Sequence, residues 1–490
     1  MQQEKIFLGP PGTGKTTRLL SVMEQEMELG VPPDRIAFVS FTKKAAEEAA
    51  ERACERFGLD RRDLPYFRTL HSLAFRELGL RRNDVVGRTQ YKELSDLLGI
   101  DFAGDFNQEE GMAGGKEGDQ LLFIDTLART RCIPLRQQWE ELNPDFDWSV
   151  VQQFHKTYKQ YRHDTGMLDY TDFLEQYNHR QSSLNIEVAI IDEAQDLSAL
   201  QWLVARLATK NATRVYIAGD DDQAIYQWSG ADVNYFLNLQ GEVEVLNKSY
   251  RLPGSIFNLA DGIVNQIEHR YAKEWQPRED KGEVLHHTDP EFIDFNEYEG
   301  DWLLLARNNY FLPKLRDLVE EHGLIYTYRG KHSINDNHVQ AIRAWEHVRN
   351  GKAISADYVK LILEYSKIRK QPIADGEYTK ETLGEMGIYI AGPWYTGLDA
   401  IHYGTRNYYR SILARKGSLS EAAEAHISAI HGAKGGEADN VLLLTDMSYS
   451  THSELQNNPD SEHRVFYVGA TRARQRLHMV EPQTHRYYSI

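Results

Sequence analysis

The run Gly9-Pro-Pro-Gly-Thr-Gly14-Lys15-Thr16 has the spacing G-x-x-x-x-G-K-[ST], which is built to hold phosphate. Glycines let successive backbone N–H groups curl around phosphate oxygens; the lysine reaches the β- and γ-phosphates and the hydroxyl ligates Mg²⁺. Lys15 and Thr16 take those parts, and Gly9, Pro10, Pro11, Gly12, Thr13, Gly14 and Thr17 complete the cradle. A carboxylate partner is then required at the end of another strand. Ile190-Ile191-Asp192-Glu193-Ala-Gln195-Asp196 supplies it: Asp192 holds Mg²⁺ with Thr16, and Glu193 polarises the attacking water. Together these two runs imply hydrolysis of a nucleoside triphosphate and say nothing of its purpose. A third run, Gly219-Asp-Asp-Asp222-Gln223-Ala-Ile-Tyr226-Gln-Trp228-Ser-Gly230, follows another apolar segment. Gln223, an amide at a strand end beside the other two, can sense a γ-phosphate. Tyr226 and Trp228 offer flat faces on which bases stack. Taken alone, the aspartates equally read as a cation site and the aromatics as core.

Such residues need strands to carry them. Ile6–Leu8 runs into the glycine loop, Ile36–Thr42 is β-like, and Lys43–Arg56 follows as a helix. Val188–Ile191 and Val215–Ala218 are short, continuous apolar runs ending in acids, as strands buried on both faces of a parallel sheet are. A second set follows residue 300: Trp302–Ala306, Ala425–Ile430 and Val441–Thr445. The pattern predicts an α/β chain with two cores of parallel sheet flanked by helices. Residues 86–165, with a glycine-rich patch at Gly111–Gly118, and residues 351–420, rich in Tyr, Lys and Arg, read as inserted, mainly helical subdomains. The expected division is a first core of 1–85 plus 166–248, an insertion of 86–165, a second core of 249–350 plus 421–490, and an insertion of 351–420.

With 490 residues, 41% of them hydrophobic, the chain supports two or three domains with real cores. Fifty-six basic against 73 acidic residues leave a net charge of −17, which argues against holding nucleic acid through bulk positive charge. Cys54 and Cys132 are too few for a disulfide framework or a four-ligand zinc site, and His426, His452 and His463 lack ligand spacing. No apolar run approaches the ~20 residues of a spanning helix, and an apolar strand already leads into a glycine loop near the start. The expectation is a soluble, cytoplasmic protein that does not engage membranes.

Further motifs follow in order: Phe41-Thr42-Lys-Lys-Ala-Ala46, Thr69-Leu-His71-Ser72-Leu-Ala-Phe75, Leu168-Asp-Tyr-Thr-Asp-Phe173, Asn247-Lys-Ser-Tyr250-Arg251, Leu305-Ala-Arg307-Asn308, His431-Gly-Ala-Lys434-Gly435-Gly-Glu437 and Tyr467-Val-Gly-Ala-Thr471-Arg472-Ala473. With the first three runs, the chain resembles a superfamily 1 helicase of the UvrD/Rep/PcrA type over nearly its whole length. The resemblance implies two RecA-like P-loop NTPase cores using ATP and Mg²⁺. Tyr250 would stack on the adenine and Glu437 hold the ribose, while Arg251 and Arg472 would act as arginine fingers from the second core. Phe41, Tyr226 and Trp228 would be stacking platforms for DNA, with Thr42, His71 and His431 touching the strand nearby. The implied function is an ATP-dependent helicase moving 3′→5′ on single-stranded DNA and unwinding duplex at single-strand/duplex junctions, as a monomer, with replication or repair proteins as possible partners. The alternatives are a translocase that strips proteins from single strands or acts on RNA, or a nucleic-acid-binding module with a regulatory ATPase.

The sequence departs from the family in three places. Only Met1–Lys5 precede the first strand, where the family carries a glutamine that reads adenine; Gln2 or Gln3 is the available substitute, and a relaxed nucleotide preference is expected. Gln227 and Ser229 flank Trp228 where Gly and Arg are usual. The insertion in the second core is short, so autoinhibition through it is expected to be weak. Charge is also uneven: residues 328–370 carry nine basic against four acidic residues, and 402–418 four basic and none acidic. Acid gathers at 104–119 and 289–301. The expectation is few phosphate contacts with base stacking, hence a shallow salt dependence.

Overall fold

The computed structural model describes residues 2–103 and 116–490; the glycine-rich patch lies largely outside them, as does most of the acidic run 104–119. Contacts divide the chain into two compact units. One runs to Gly282 and includes Ser450–Thr471; the other is Glu283–Tyr449 with Arg472–Ser489.

The first unit is built on β1 (Gln3–Leu8), β2 (Ile36–Ser40), β3 (Phe67–Thr69), β4 (Val188–Asp192), β5 (Arg214–Gly219) and β6 (Glu242–Val245), in the order β3-β2-β4-β5-β1-β6. Every pairing is parallel. β2 and β4 are buried along their whole length, which is why they read as unbroken apolar runs: helices cover both faces. Register decides function here. Leu8 pairs with Gly219, and Ser40 with both Thr69 and Asp192, so the motifs after these strands all emerge along one edge of the sheet. Ligands of open α/β sheets bind at that carboxyl edge.

Helix caps fix the segments that follow β2 and β3. Thr42 accepts from Ala45 N at 3.1 Å to start the helix Lys43–Phe57, and Thr69 accepts from Ser72 N at 3.2 Å to start Leu70–Glu77. Asp169 and Asp172 form a reciprocal capping box on Tyr170–Arg180. The segment between β3 and β4 contributes the helices Arg88–Leu98, Glu117–Thr130, Leu135–Leu142 and Trp148–Thr165. Arg129 anchors them to Tyr170–Arg180, meeting Asp169 at 2.7 Å, Asp172 at 2.6 Å and Glu175 at 2.8 Å.

The second unit carries β7 (Glu283–His287), β8 (Trp302–Ala306), β9 (Tyr326–Tyr328) and β10 (Lys331–His332). A short antiparallel pair, β11 (Ile354–Ser355) and β12 (Glu377–Tyr378), follows, and then β13 (Ala425–Ala429), β14 (Ala438–Leu444) and β15 (Ala473–Val480). Its sheet runs β10-β9-β13-β8-β14-β15-β7, parallel except for β9–β10. Both sheets have the α/β architecture expected of two parallel cores.

Segments 249–282 and 450–471, expected with the second sheet, pack in the first unit. The helix Gly254–Val264 lies against Pro459–Ala470, and Asp460 accepts from Glu268 N and His269 N at 2.9 and 3.0 Å. No helix among the described residues is long and apolar enough to cross a membrane.

Candidate active site

Gly9 to Gly14 turn from β1 into the helix Lys15–Glu28. Gly9 lies so close to the lysine that a Cβ there would stand 2.0 Å from Lys15 Cγ, and Gly12, at φ +72°, would place one 2.3 Å from Arg251 Cβ. Lys15 Nζ donates to Gly9 O at 3.0 Å and stands 3.6 Å from Glu193 Oε1. The first helical turn carries no acid, and Gly14 offers no side-chain cap, so the positive end of the helix faces the loop.

At the end of β4, Asp192 is buried and accepts from Glu193 N at 2.9 Å. Burial, and next the neighbouring Glu193 charge, push its carboxyl up to about 7. Carboxylate and hydroxyl oxygens at Asp192 and Thr16 form the hard-oxygen donor set that Mg²⁺ takes, and the raised carboxyl is one that a divalent cation would ionise. The residues present therefore fit the metal. Glu193 sits at φ +52°, a left-handed conformation that costs a non-glycine residue about 1 kcal/mol or more. Gln195 holds it there, donating from Nε2 to Glu193 Oε2 at 2.6 Å and accepting from Asp220 N at 2.9 Å through Oε1.

The aspartate run after β5 holds a lysine. Asp220, Asp221 and Asp222 are buried around Lys273, whose ammonium is 3.1 Å from Asp220 and 2.8 Å from Asp222 and also pairs with Asp221. Arg270 grips Asp222 at 2.7 and 2.8 Å, and Arg464 donates to Asp221 O at 2.9 Å. Burial opposes it, yet Lys273 and then Lys15 hold Asp220 below the usual carboxylate range. Gln223 Nε2 donates to Asp220 Oδ2 at 2.7 Å.

Beside these residues a cleft of about 490 Å³ opens, lined by Phe41, His71, Phe123, Tyr170, Gln201 and Trp228 among others. Phe41 stacks on Tyr226 (centroids 5.3 Å apart, 26° between planes), and Trp228 meets Tyr226 edge-on at 6.4 Å. Tyr226 is itself buried, so it backs the platform while Phe41 and Trp228 face the cleft. His71 is pushed down to about 4 by burial, against the opposing charge of Asp169, and is neutral at physiological pH. Thr42 is occupied as a helix cap. Phe123 and Tyr170 were not foreseen as wall residues. Tyr170 stood inside a recognised motif, whereas Phe123, on an amphipathic helix, carried no signal separating it from core.

Tyr250 is 71% exposed, and its backbone N donates to Gly12 O at 2.8 Å, so its ring stands free beside the phosphate loop. Arg251 was expected on the second core. It belongs to the unit carrying the loop, tied there because Ser249 Oγ donates to Pro11 O at 2.8 Å and accepts from Arg251 N and Leu252 N. Arg472, Glu437 and His431 are in the second unit. There Arg472 is buried and donates to Gly436 O at 3.2 Å, Glu437 stands 3.7 Å from Arg474, and His431 is buried. The Gln2 amide donates to Thr209 O and Ala212 O at 2.8 and 3.1 Å, which fixes it on the opposite end of the sheet from the loop.

A glycine loop between strand and helix, with an Asp-Glu pair ending a parallel strand two places away in the same sheet, defines a P-loop nucleotide-binding fold. Residues 1–244 match the UvrD/REP helicase N-terminal domain, and residues 412–483 match the UvrD-like helicase C-terminal domain. The chain belongs to the UvrD-like helicase family. Among curated relatives, the putative ATP-dependent DNA helicase YjcD of Bacillus subtilis (strain 168) is 26% identical over 309 residues, covering 57% of this chain and 39% of that protein. The ATP-dependent DNA helicase PcrA of Leuconostoc citreum is 24% identical over 377 residues, 67% of this chain and 48% of that one. The probable DNA helicase II homolog of Rickettsia conorii is 26% identical over 302 residues, 56% and 44% respectively. The matches thus span less than half the length of each of these relatives.

Proposed function

We propose that this protein hydrolyses ATP to move 3′→5′ along single-stranded DNA and to unwind duplex at single-strand/duplex junctions. The observation that carries the reading is the shared sheet edge. Lys15, 3.6 Å from Glu193, and the aromatic cleft of Phe41 and Trp228 lie within one unit, linked through Gln195, Asp220 and Gln223. Lys15 and the loop N–H groups bind the β- and γ-phosphates. Glu193, held by Gln195, accepts the proton of the attacking water, while Gln223 contacts the γ-phosphate. Tyr250 stacks on the base. Thr16 and Asp192 would hold Mg²⁺, which when bound neutralises charge on the phosphate oxygens. Arg251 and Arg472 are proposed to stabilise charge on the transferred phosphoryl group, Glu437 to hold the ribose, and Thr42, His71 and His431 to touch the strand. The proposed organisation is two cores, each interrupted by a mainly helical insertion, at 86–165 and 351–420.

The direction and the DNA substrate rest on membership of the family and on the names of the relatives. The test is ATP hydrolysis with and without single-stranded DNA or RNA. Stimulation of tenfold or more by DNA, lost in Lys15→Ala and Glu193→Gln, is expected. Equal rates with and without either strand would count against a motor.

A further inference from the structure

Asp220 is held from two sides. Its backbone N–H donates to Gln195 Oε1 at 2.9 Å, and the same Gln195 donates to Glu193. Its carboxylate accepts from Lys273 Nζ at 3.1 Å and, through Oδ2, from Gln223 Nε2 at 2.7 Å. Lys273 lies fifty residues beyond, in none of the recognised motifs, yet its side chain is fully buried. An ammonium has three donors, and here three separate carboxylates converge on it. A lysine so engaged has one position. The amide bonded to Asp220 then also has a fixed plane, which sets where its second N–H and its carbonyl point.

We propose that Lys273 is a positioning residue for hydrolysis: it fixes the Asp220 carboxylate, and Asp220 orients the Gln223 amide for contact with the γ-phosphate. The proposal rests on the ATPase reading above. It also accounts for the lysine itself. A cation buried among carboxylates is weak evidence for stability, because desolvation offsets most of the attraction, and Arg270 already pairs with Asp222; a point charge that reaches three side chains at once supplies geometry. Arginine is a poor substitute, since its planar fork serves two parallel acceptors better than three converging ones.

The experiment is steady-state ATP hydrolysis, with saturating single-stranded DNA, by the wild type, Lys273→Met, Gln223→Ala and the double variant, with melting temperature and ADP affinity measured alongside. Lys273→Met is expected to lower kcat ten- to a hundredfold with KM and ADP affinity within threefold, because Lys15, Thr16 and Tyr250 are untouched. Adding Gln223→Ala should then cost less than a further twofold, since both changes act through one amide. If Lys273→Met does not fold, Lys273→Met/Asp221→Asn keeps the charge balanced while still removing the brace on Asp220, and replaces it throughout. A folded variant with kcat within twofold of wild type would overturn the proposal. So would losses that multiply independently with Gln223→Ala, or failure of both lysine variants to fold, which would mark the lysine as structural. An inactive wild type would instead sink the ATPase reading itself.

Discussion

At the scale of single residues, the roles proposed for Glu193 and Tyr250 make opposite predictions. Glu193 is held at φ +52° with its carboxylate 3.6 Å from Lys15 Nζ, while Lys15 also anchors to Gly9 O. Glu193→Gln keeps the shape and the bond to Gln195 but removes the proton acceptor. It should lower kcat at least a hundredfold, within the ~10²–10⁴ range of general-base loss, and leave nucleotide affinity within threefold by fluorescent-nucleotide titration. Weakened nucleotide binding with normal turnover would contradict the assignment. Tyr250, largely exposed beside the loop, should behave the opposite way: Tyr250→Ala is expected to raise KM for ATP several-fold and change kcat little. Neither effect depends on Lys273, which no sequence pattern flags because its three partners lie fifty residues away and meet it only in the fold.

At the scale of elements, the carboxyl ends of β1, β2, β4 and β5 deliver the chemistry, and the registers Leu8–Gly219 and Ser40–Asp192 align them. Those ends were legible because parallel strands buried on both faces leave continuous apolar runs, and the phosphate loop is a local motif. The cleft walls were less so. Phe41 and Trp228 were anticipated, but Phe123 comes from the helical insertion, where an aromatic on a helix is indistinguishable from core until the helix is docked. Arg251 packs with the phosphate loop through a contact no local pattern carries: Ser249 reaches Pro11 across 238 residues. Trp228→Ala should weaken single-strand affinity by the ~1–3 kcal/mol that one base–aromatic stack contributes, about five- to 150-fold by anisotropy. Tyr226→Phe, which keeps the buried ring under Phe41, should change it less than twofold.

In the second unit, His478 is buried, stacked on His287 with their nitrogens 3.0 Å apart. Burial, then His287 and Arg476, push it down to about 3. Its folded-state value lies below that of the unfolded chain, so its contribution is fully present above about pH 6.5 and is lost as pH falls toward 3. A proton taken up only by the unfolded chain tilts stability by about 1.4 kcal/mol per pH unit. Melting temperature should therefore drop between pH 6.5 and 4.5, and His478→Gln should flatten that slope. An unchanged slope in the variant would show that other groups set the acid limit.

Across the whole molecule, a net charge of −17 and base-stacking residues point to binding by few phosphate contacts. The logarithm of single-strand affinity against the logarithm of salt should have a slope shallower than about −3, at ~0.7 per neutralised phosphate; a steep slope would refute the stacking account. The short stretch at 351–420 leads to the expectation that one protomer unwinds DNA. Single-turnover unwinding that rises linearly with protein concentration would support this, and a requirement for two protomers per substrate would not. A directional, ATP-driven motor is tested most directly by strand displacement on duplexes bearing either a 3′ or a 5′ single-stranded tail, with ATP and Mg²⁺. Rapid displacement from the 3′-tailed duplex, abolished by Glu193→Gln, is expected; faster displacement from the 5′-tailed duplex would contradict 3′→5′ movement.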